Sequence, residues 1–211
     1  MTDAADRGWG PGWPTDRRGD MVPFRVDGVD FPGGLHSGIH DLMEILLEES
    51  ISRDYIDLHD GWCWGYAGRF IKTPSGGQTT TPSNHSWGLA IDLNAPVNCF
   101  GCTSHTIPET MGALWTGYGF RWGGDYTTTK DWMHFEYLAT PAAAARATLR
   151  AREEFMQDDR LDDYDKGYDA YRDKFKAAGG VDPGDPPTDR SAWFKKGWGA
   201  ARFAGLNPHG E

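Results

Sequence analysis

His85 and Asp92 stand seven residues apart in the run Ser83-Asn-His85-Ser-Trp-Gly88-Leu-Ala-Ile-Asp92-Leu-Asn94. Gly88 permits a turn between them, and Ala90-Ile91-Asp92-Leu93 reads as a strand that can aim the carboxylate back toward the imidazole. About forty residues on, Asp131-Trp-Met-His134-Phe-Glu136 supplies a second histidine. Its alternation predicts Met133, Phe135 and Tyr137 on one side and Trp132, His134 and Glu136 on the other. Two imidazoles and one carboxylate suit a single zinc ion, and a three-ligand set leaves the fourth tetrahedral position for water. An open position of that kind is catalytic. The ion brings the pKa of water to about 7 and polarises a carbonyl, and a proton acceptor is needed beside it. Asp131, left over from the ligand count, is the candidate base. Spacing alone keeps a second reading open, a buried His–Asp hydrogen bond with a purely structural role.

Positioning such a site takes a sheet and something to pack it on. From Gly61 to Tyr137 the sequence is short segments rich in aromatic and β-branched residues, broken by glycine and by a polar loop over Thr73–Asn84. This predicts a small antiparallel sheet with strands near Cys63–Tyr66, Ala90–Leu93 and Met133–Tyr137, and a helix near Pro108–Thr116. Ile39, Leu42, Met43, Leu46, Leu47 and Ile51 recur at helical spacing and predict a core-facing helix over 37–52. Its neighbours His36 and His40 read as hydrogen-bonded or solvent-edge histidines. Residues 1–36 read as an irregular Gly/Pro/Asp-rich arm with one strand at Val22–Val26. Thr140-Pro141 opens a helix to about Met156, Thr140 as N-cap and Pro141 in the first turn. Leu161, Tyr164, Tyr168, Tyr171 and Phe175 form the packing stripe of a second helix, stopped at Gly179-Gly180. The fold expected is α+β, a small antiparallel sheet flanked by helices with a C-terminal helical extension. The expected divisions are a catalytic domain over 1–139 with its N-terminal arm, helices over 140–180, and a linker and tail over 181–211. In the tail, Trp193, Phe194, Trp198 and Phe203 suggest an amphipathic end or the stub of a targeting module.

The chain has 211 residues and a net charge of −10, with Lys+Arg 21 against Asp+Glu 31. That balance disfavours nucleic acid and anionic membrane surfaces as partners. The first thirty residues contain no apolar signal core, and no stretch reaches the roughly eighteen apolar residues of a spanning helix. The expectation is synthesis in the cytoplasm, no membrane insertion, and any action outside only after release. Cys99-Phe-Gly-Cys102-Thr-Ser-His105 with Cys63 is open to two readings: a second, structural metal site, or a loop of small buried thiols that can close a local disulfide. The acidic run Asp158–Asp165 fails as a calcium loop, because Tyr164 and Lys166 fall at ligand positions.

Ser83-Asn-His-Ser-Trp-Gly-Leu-Ala-Ile-Asp92 resembles the S-x-H-x-x-G-x-A-x-D motif of the zinc D-Ala-D-Ala carboxypeptidases and L-alanyl-D-glutamate endopeptidases. Asp131-Trp-Met-His134 resembles their acidic-x-x-His signature. The family includes vancomycin-resistance carboxypeptidases and phage endolysins, on a fold shared with the hedgehog signalling domain. The resemblance covers roughly residues 36–138. It implies one zinc ion on His85, Asp92 and His134, and Asp131 as general base. Trp64-Gly-Tyr66-Ala-Gly-Arg69 is similar to the family segment whose arginine stabilises the developing oxyanion, although here two residues separate Tyr66 from Arg69 where adjacency is commoner. Gly119–Tyr126 resembles the approach to the last motif. Ser83, Tyr66, Tyr126 and Trp132 are the expected substrate contacts, with cross-strand aromatic packing an alternative for Tyr126 and Trp132. The function so implied is a monomeric peptidase of peptidoglycan stem peptides, of the phage endolysin type. The alternatives are a host D,D-carboxypeptidase and a zinc-bearing binding module without activity.

Overall fold

The computed structural model of the chain describes residues 3–14, 20–73, 75–156, 158–179 and 184, with the backbone alone over 158–164. The expected linker over 181–190 apart from Gly184, the aromatic tail with Trp193, Phe194, Trp198 and Phe203, and the side chains of Leu161 and Tyr164 lie outside the described residues.

The arm before the first helix is more regular than its composition predicts. Strands β1 (Met21–Val26) and β2 (Val29–His36) pair antiparallel, with Val26 opposite Val29 and Phe24 opposite Phe31. Asp27 and Gly28 join them, both at positive φ (49° and 79°), the geometry of a two-residue turn whose twist matches the strands. Phe24, Val26, Val29 and Phe31 are all buried, so the hairpin is held by its apolar face as well as by its turn. One strand was expected here and two are present, because the Asp-Gly pair is itself the hairpin signal.

Helix α1 (Ser37–Ser52) follows directly, with His36 as N-cap: its Nδ1 accepts the Gly38 amide at 3.0 Å. Ile39, Leu42, Met43, Leu46 and Leu47 are fully enclosed, as the apolar spacing predicts. Ser50 returns its hydroxyl to the Leu46 carbonyl at 2.7 Å and accepts the indole N–H of Trp115 at 3.0 Å, tying α1 to α2 (Glu109–Thr116). Strands β3 (Phe70–Lys72) and β4 (Gln78–Pro82) make a second small hairpin. The stretch read as a polar loop therefore contains β4, whose threonines suit a strand with little burial.

The three-stranded sheet that carries the site is built from β5 (Ala90–Asp92), β6 (Phe120–Trp122) and β7 (His134–Tyr137), with β7 central and both neighbours antiparallel to it. The predicted strand at Cys63–Tyr66 is reduced to one bridge, Trp64 against Asp92. Register sorts the faces. Ile91, Phe135 and Trp122 lie in one row, and Trp115 packs on Phe135 and Phe120 at 4.8 and 4.9 Å between ring centres. Asp92 opposite His134, and Ala90, Glu136 and Arg121 in the next row, share the other face. The architecture is α+β, small antiparallel sheets with flanking helices.

Helix α3 (Pro141–Phe155) starts as predicted, with the Thr140 hydroxyl accepting the Ala143 amide at 3.2 Å. The chain divides into two compact units, Met1–Ala151 and Arg152–Glu211, a boundary that falls within α3. In the second unit, α4 (Asp158–Ala177) buries Tyr171 against Tyr168 and Phe175. Among the described residues no helix is long and apolar enough to cross a membrane.

Candidate metal centre

The first histidine is placed by a tight local device. Ser83 caps a 3-10 turn over Asn84–Trp87, its hydroxyl facing the His85 amide and its carbonyl accepting the Ser86 amide at 2.8 Å. Gly88 ends the turn at φ 64°, where a Cβ would stand 2.4 Å from the Met21 sulfur and 2.6 Å from the His36 amide nitrogen. Only glycine fits both the conformation and the space. The chain then enters β5, and Asp92 ends it directly opposite His134.

Each imidazole has one nitrogen committed away from the centre. Nδ1 of His85 donates to the Gly65 carbonyl at 2.7 Å, which leaves Nε2 as the lone-pair nitrogen. Nε2 of His134 faces Glu136 Oε2 at 3.6 Å, which leaves Nδ1. These two nitrogens are 3.2 Å apart, and Asp92 Oδ1 lies 3.2 Å from the first and 2.9 Å from the second. A tetrahedral ion with bonds of about 2.0–2.1 Å spaces its donors about 3.3 Å apart. The triangle is within a few tenths of an ångström of one tetrahedral face. All three residues are buried. A metal ion would meet all three as acceptors, and in its place a hydrogen on Nδ1 of His134 bridges to Asp92. Burial opposes a charge on His134, but the carboxylates of Asp92 and Glu136 outweigh this and push its pKa up to about 10. Burial likewise opposes ionisation of Asp92, and the two imidazoles outweigh it, holding the carboxyl well below its usual range. The residues fit a metal ion.

The centre opens into a cleft of about 730 Å³ lined by Arg69, Ile71 and Lys72 and by Phe100, Tyr126–Thr129, Asp131 and Met133. Asp131 is placed by a turn in which its carbonyl accepts the His134 amide at 3.1 Å and its amide donates to Gly123 at 3.0 Å. Its Oδ1 is buried without a hydrogen-bond partner, and burial pushes the carboxyl up to about 6. That turn also corrects the predicted alternation. β7 begins at His134, so Phe135 and Tyr137 do enter the core, but Met133 lines the cleft and Trp132 leaves the His134 face. The Trp132 indole stacks on His105 at 3.6 Å and donates to the Cys102 carbonyl at 2.8 Å.

Of the other predicted contacts, Ser83 and Tyr126 line the cleft. Tyr66 lines a separate groove over the β1–β2 hairpin, with Phe24, Phe31, Gly33 and Gly34. That groove contains none of the candidate ligands. Arg69 lines the metal cleft, its amide donating to the Ser86 hydroxyl at 3.0 Å and its guanidinium reaching the Phe70 carbonyl at 3.4 Å.

The sequence reading assigned no role to Glu136. One oxygen of its buried carboxylate takes Arg121 (Nε at 2.7 Å) and the Tyr126 hydroxyl (2.7 Å), while the other takes the Asn84 amide and faces His134. Burial raises the Glu136 carboxyl, and His134 and Arg121 more than reverse it, so the group stays ionised. Burial and Glu136 together keep the Tyr126 phenol protonated. The available signal was the alternation that put Glu136 on the ligand face. A charge on an enclosed strand demands partners, yet Arg121 and Asn84 are remote in sequence.

The cysteine reading resolves toward the local disulfide. Cys99 and Cys102 are joined, while Cys63 is buried apart from them with its thiol toward Asn94 at 3.7 Å. Among the described residues no cysteine belongs to a group able to hold a metal. His40, Asp41 and Glu44 also come close together, but on one face of α1, where His40 is already bonded to Asp41 at 3.0 Å.

Residues 76–137 match the family model described as D-alanyl-D-alanine carboxypeptidase. The matched segment contains His85, Asp92, Asp131 and His134, together with Tyr126 and Glu136, and stops short of Tyr66 and Arg69. It supports the likeness to the zinc D,D-carboxypeptidases, and with it a peptidase. No solved structure matches the chain.

Proposed function

We propose that the chain is a zinc peptidase of peptidoglycan stem peptides. The observation that carries this reading is the pairing, in one cleft, of a three-acceptor centre with a buried carboxylate oxygen that has no partner of its own. When bound at His85, Asp92 and His134, a zinc ion supplies Lewis acidity toward a peptide carbonyl and toward water. Asp131 takes the proton of the water that attacks the carbonyl carbon, and returns it to the amine nitrogen as the C–N bond breaks. Its raised pKa suits both halves of that task. Arg69, on the cleft wall, stabilises the negative charge that develops on the carbonyl oxygen. Tyr126 and Ser83 border the peptide, with Tyr126 bound also to Glu136.

The biological setting we infer is that of a phage-type endolysin, a monomer made in the cytoplasm and active on the wall after release. A host D,D-carboxypeptidase is the second reading, favoured by the description of the matching family and by the cations Arg69 and Lys72 on the cleft, which suit a free carboxylate. Digestion of purified cell wall followed by mass spectrometry separates them. New termini at an internal stem-peptide bond with loss of turbidity support the endolysin. Release of D-alanine alone supports the carboxypeptidase, and no cleavage with zinc bound overturns both in favour of a binding module.

A further inference from the structure

We infer that the N-terminal arm is part of the metal centre, with Arg7 acting as a positioning residue for His134 through Asn84 and Glu136. The inference rests on the zinc reading of the site. Arg7 Nη2 donates to Asn84 Oδ1 at 2.8 Å, Asn84 Nδ2 donates to Glu136 Oε2, and that same oxygen faces Nε2 of His134 at 3.6 Å. The chain of contacts spans 77 residues in its first step and 52 in its second. It begins in a segment otherwise fixed to the domain through the Trp9 indole on the Ala139 carbonyl (2.8 Å) and the Trp87 indole on the Gly10 carbonyl (2.9 Å).

The first link holds the middle one in place. An asparagine side chain presents a donor on one side and an acceptor on the other, and either end can turn toward a neighbour. Guanidinium has donors only, so Arg7 holds Oδ1 on its own side and leaves the NH2 group to face the carboxylate. With Arg7 gone Oδ1 loses the donor that holds it, the amide is tethered at one end only, and it can swing off the Glu136 carboxylate. Glu136 would then move toward Arg121 and Tyr126, its partners on the other oxygen, and away from His134. A metal-bound histidine whose outer N–H loses its acceptor is a poorer and less oriented ligand, typically by about 10–100-fold in affinity.

The test is a double-substitution cycle read as the zinc dissociation constant, from competition with a coloured chelator, in the full chain. Arg7→Met and Asn84→Leu should each weaken zinc about tenfold or more, and the pair should be no worse than Asn84→Leu alone. Arg7→Lys, which keeps a donor toward Oδ1, should fall between wild type and Arg7→Met, and takes its place in the cycle if Arg7→Met does not fold. Additive losses or an unchanged constant in Arg7→Met would each overturn the inference and leave the zinc reading standing. Wild-type protein that takes up no zinc would overturn both.

Discussion

Nε2 of His85 and Nδ1 of His134 approach to 3.2 Å, both within reach of the Asp92 carboxylate. The geometry makes a proton and a metal ion direct competitors for one place. In the metal-free protein His134 titrates at about 10, above the roughly 6.5 of an unfolded histidine. Its protonation therefore stabilises the metal-free fold fully below about pH 6.5, and that contribution is lost as pH rises through about 10. Calorimetry of chelated protein should show the melting temperature falling between pH 7 and 10. Over the same window the affinity for zinc should rise, by up to about tenfold per pH unit for release of one proton.

Asp131 runs the other way between function and stability. Its carboxyl titrates at about 6, above the roughly 3.9 of an unfolded aspartate, so folding favours the protonated form. That contribution is complete below about pH 3.9 and is lost as pH rises through about 6. Asp131→Asn should lower the hydrolysis rate by about 10²–10⁴ while keeping one zinc per chain. In metal-free protein it should raise the melting temperature at pH 7.5 more than at pH 4. The wild-type rate should fall on the acid side near pH 6.

Gly123 is where the backbone of the 3-10 turn after β6 meets Asp131. A Cβ there would lie 2.2 Å from the Asp131 carbonyl oxygen and 2.8 Å from its Cβ. Gly123→Ala should cost about 1–3 kcal/mol by overpacking and displace Asp131. Denaturant melts and kcat together check it: loss of activity with zinc content unchanged is expected.

Replacing both Cys99 and Cys102 with serine should leave one zinc per chain, because no cysteine lies in the ligand set. Elemental analysis decides this. A drop in metal content would revive the structural-site reading of the Cys-x-x-Cys run.

The elements legible in the sequence are those whose signals are local. Helix α1 follows from the spacing of Ile39, Leu42, Met43, Leu46 and Leu47, and the start of α3 from Thr140 and Pro141. The convergence of His85, Asp92 and His134 was readable because two short motifs fix each local geometry. What escaped depends on partners distant in the chain. Glu136 appears in the sequence only as a charge beside a ligand, and nothing local says that Arg121, Tyr126 and Asn84 will surround it. The β1–β2 hairpin was obscured by its setting, since Gly33 and Gly34 dilute the apolar alternation of β2. Trp132 departs from the alternation because the turn from Asp131 to His134 breaks the period just before the strand begins.

Asp92 and His134 occupy one rung of the sheet, directly across from each other. The spacing between two ligands set in this way is dictated by strand register, and the number of residues looped out between them has no say in it. The segments before α2 and after β6, which furnish Phe100 and Thr127–Thr129 to the cleft wall, can thus be lengthened, shortened or exchanged while the metal geometry is conserved. A one-residue slip of β5 against β7, by contrast, would bring Ile91 opposite His134 and abolish the centre at once. Such a scaffold tolerates diversification of its substrate wall and forbids it at the rung, a division of labour well suited to directed evolution of bond specificity by loop exchange.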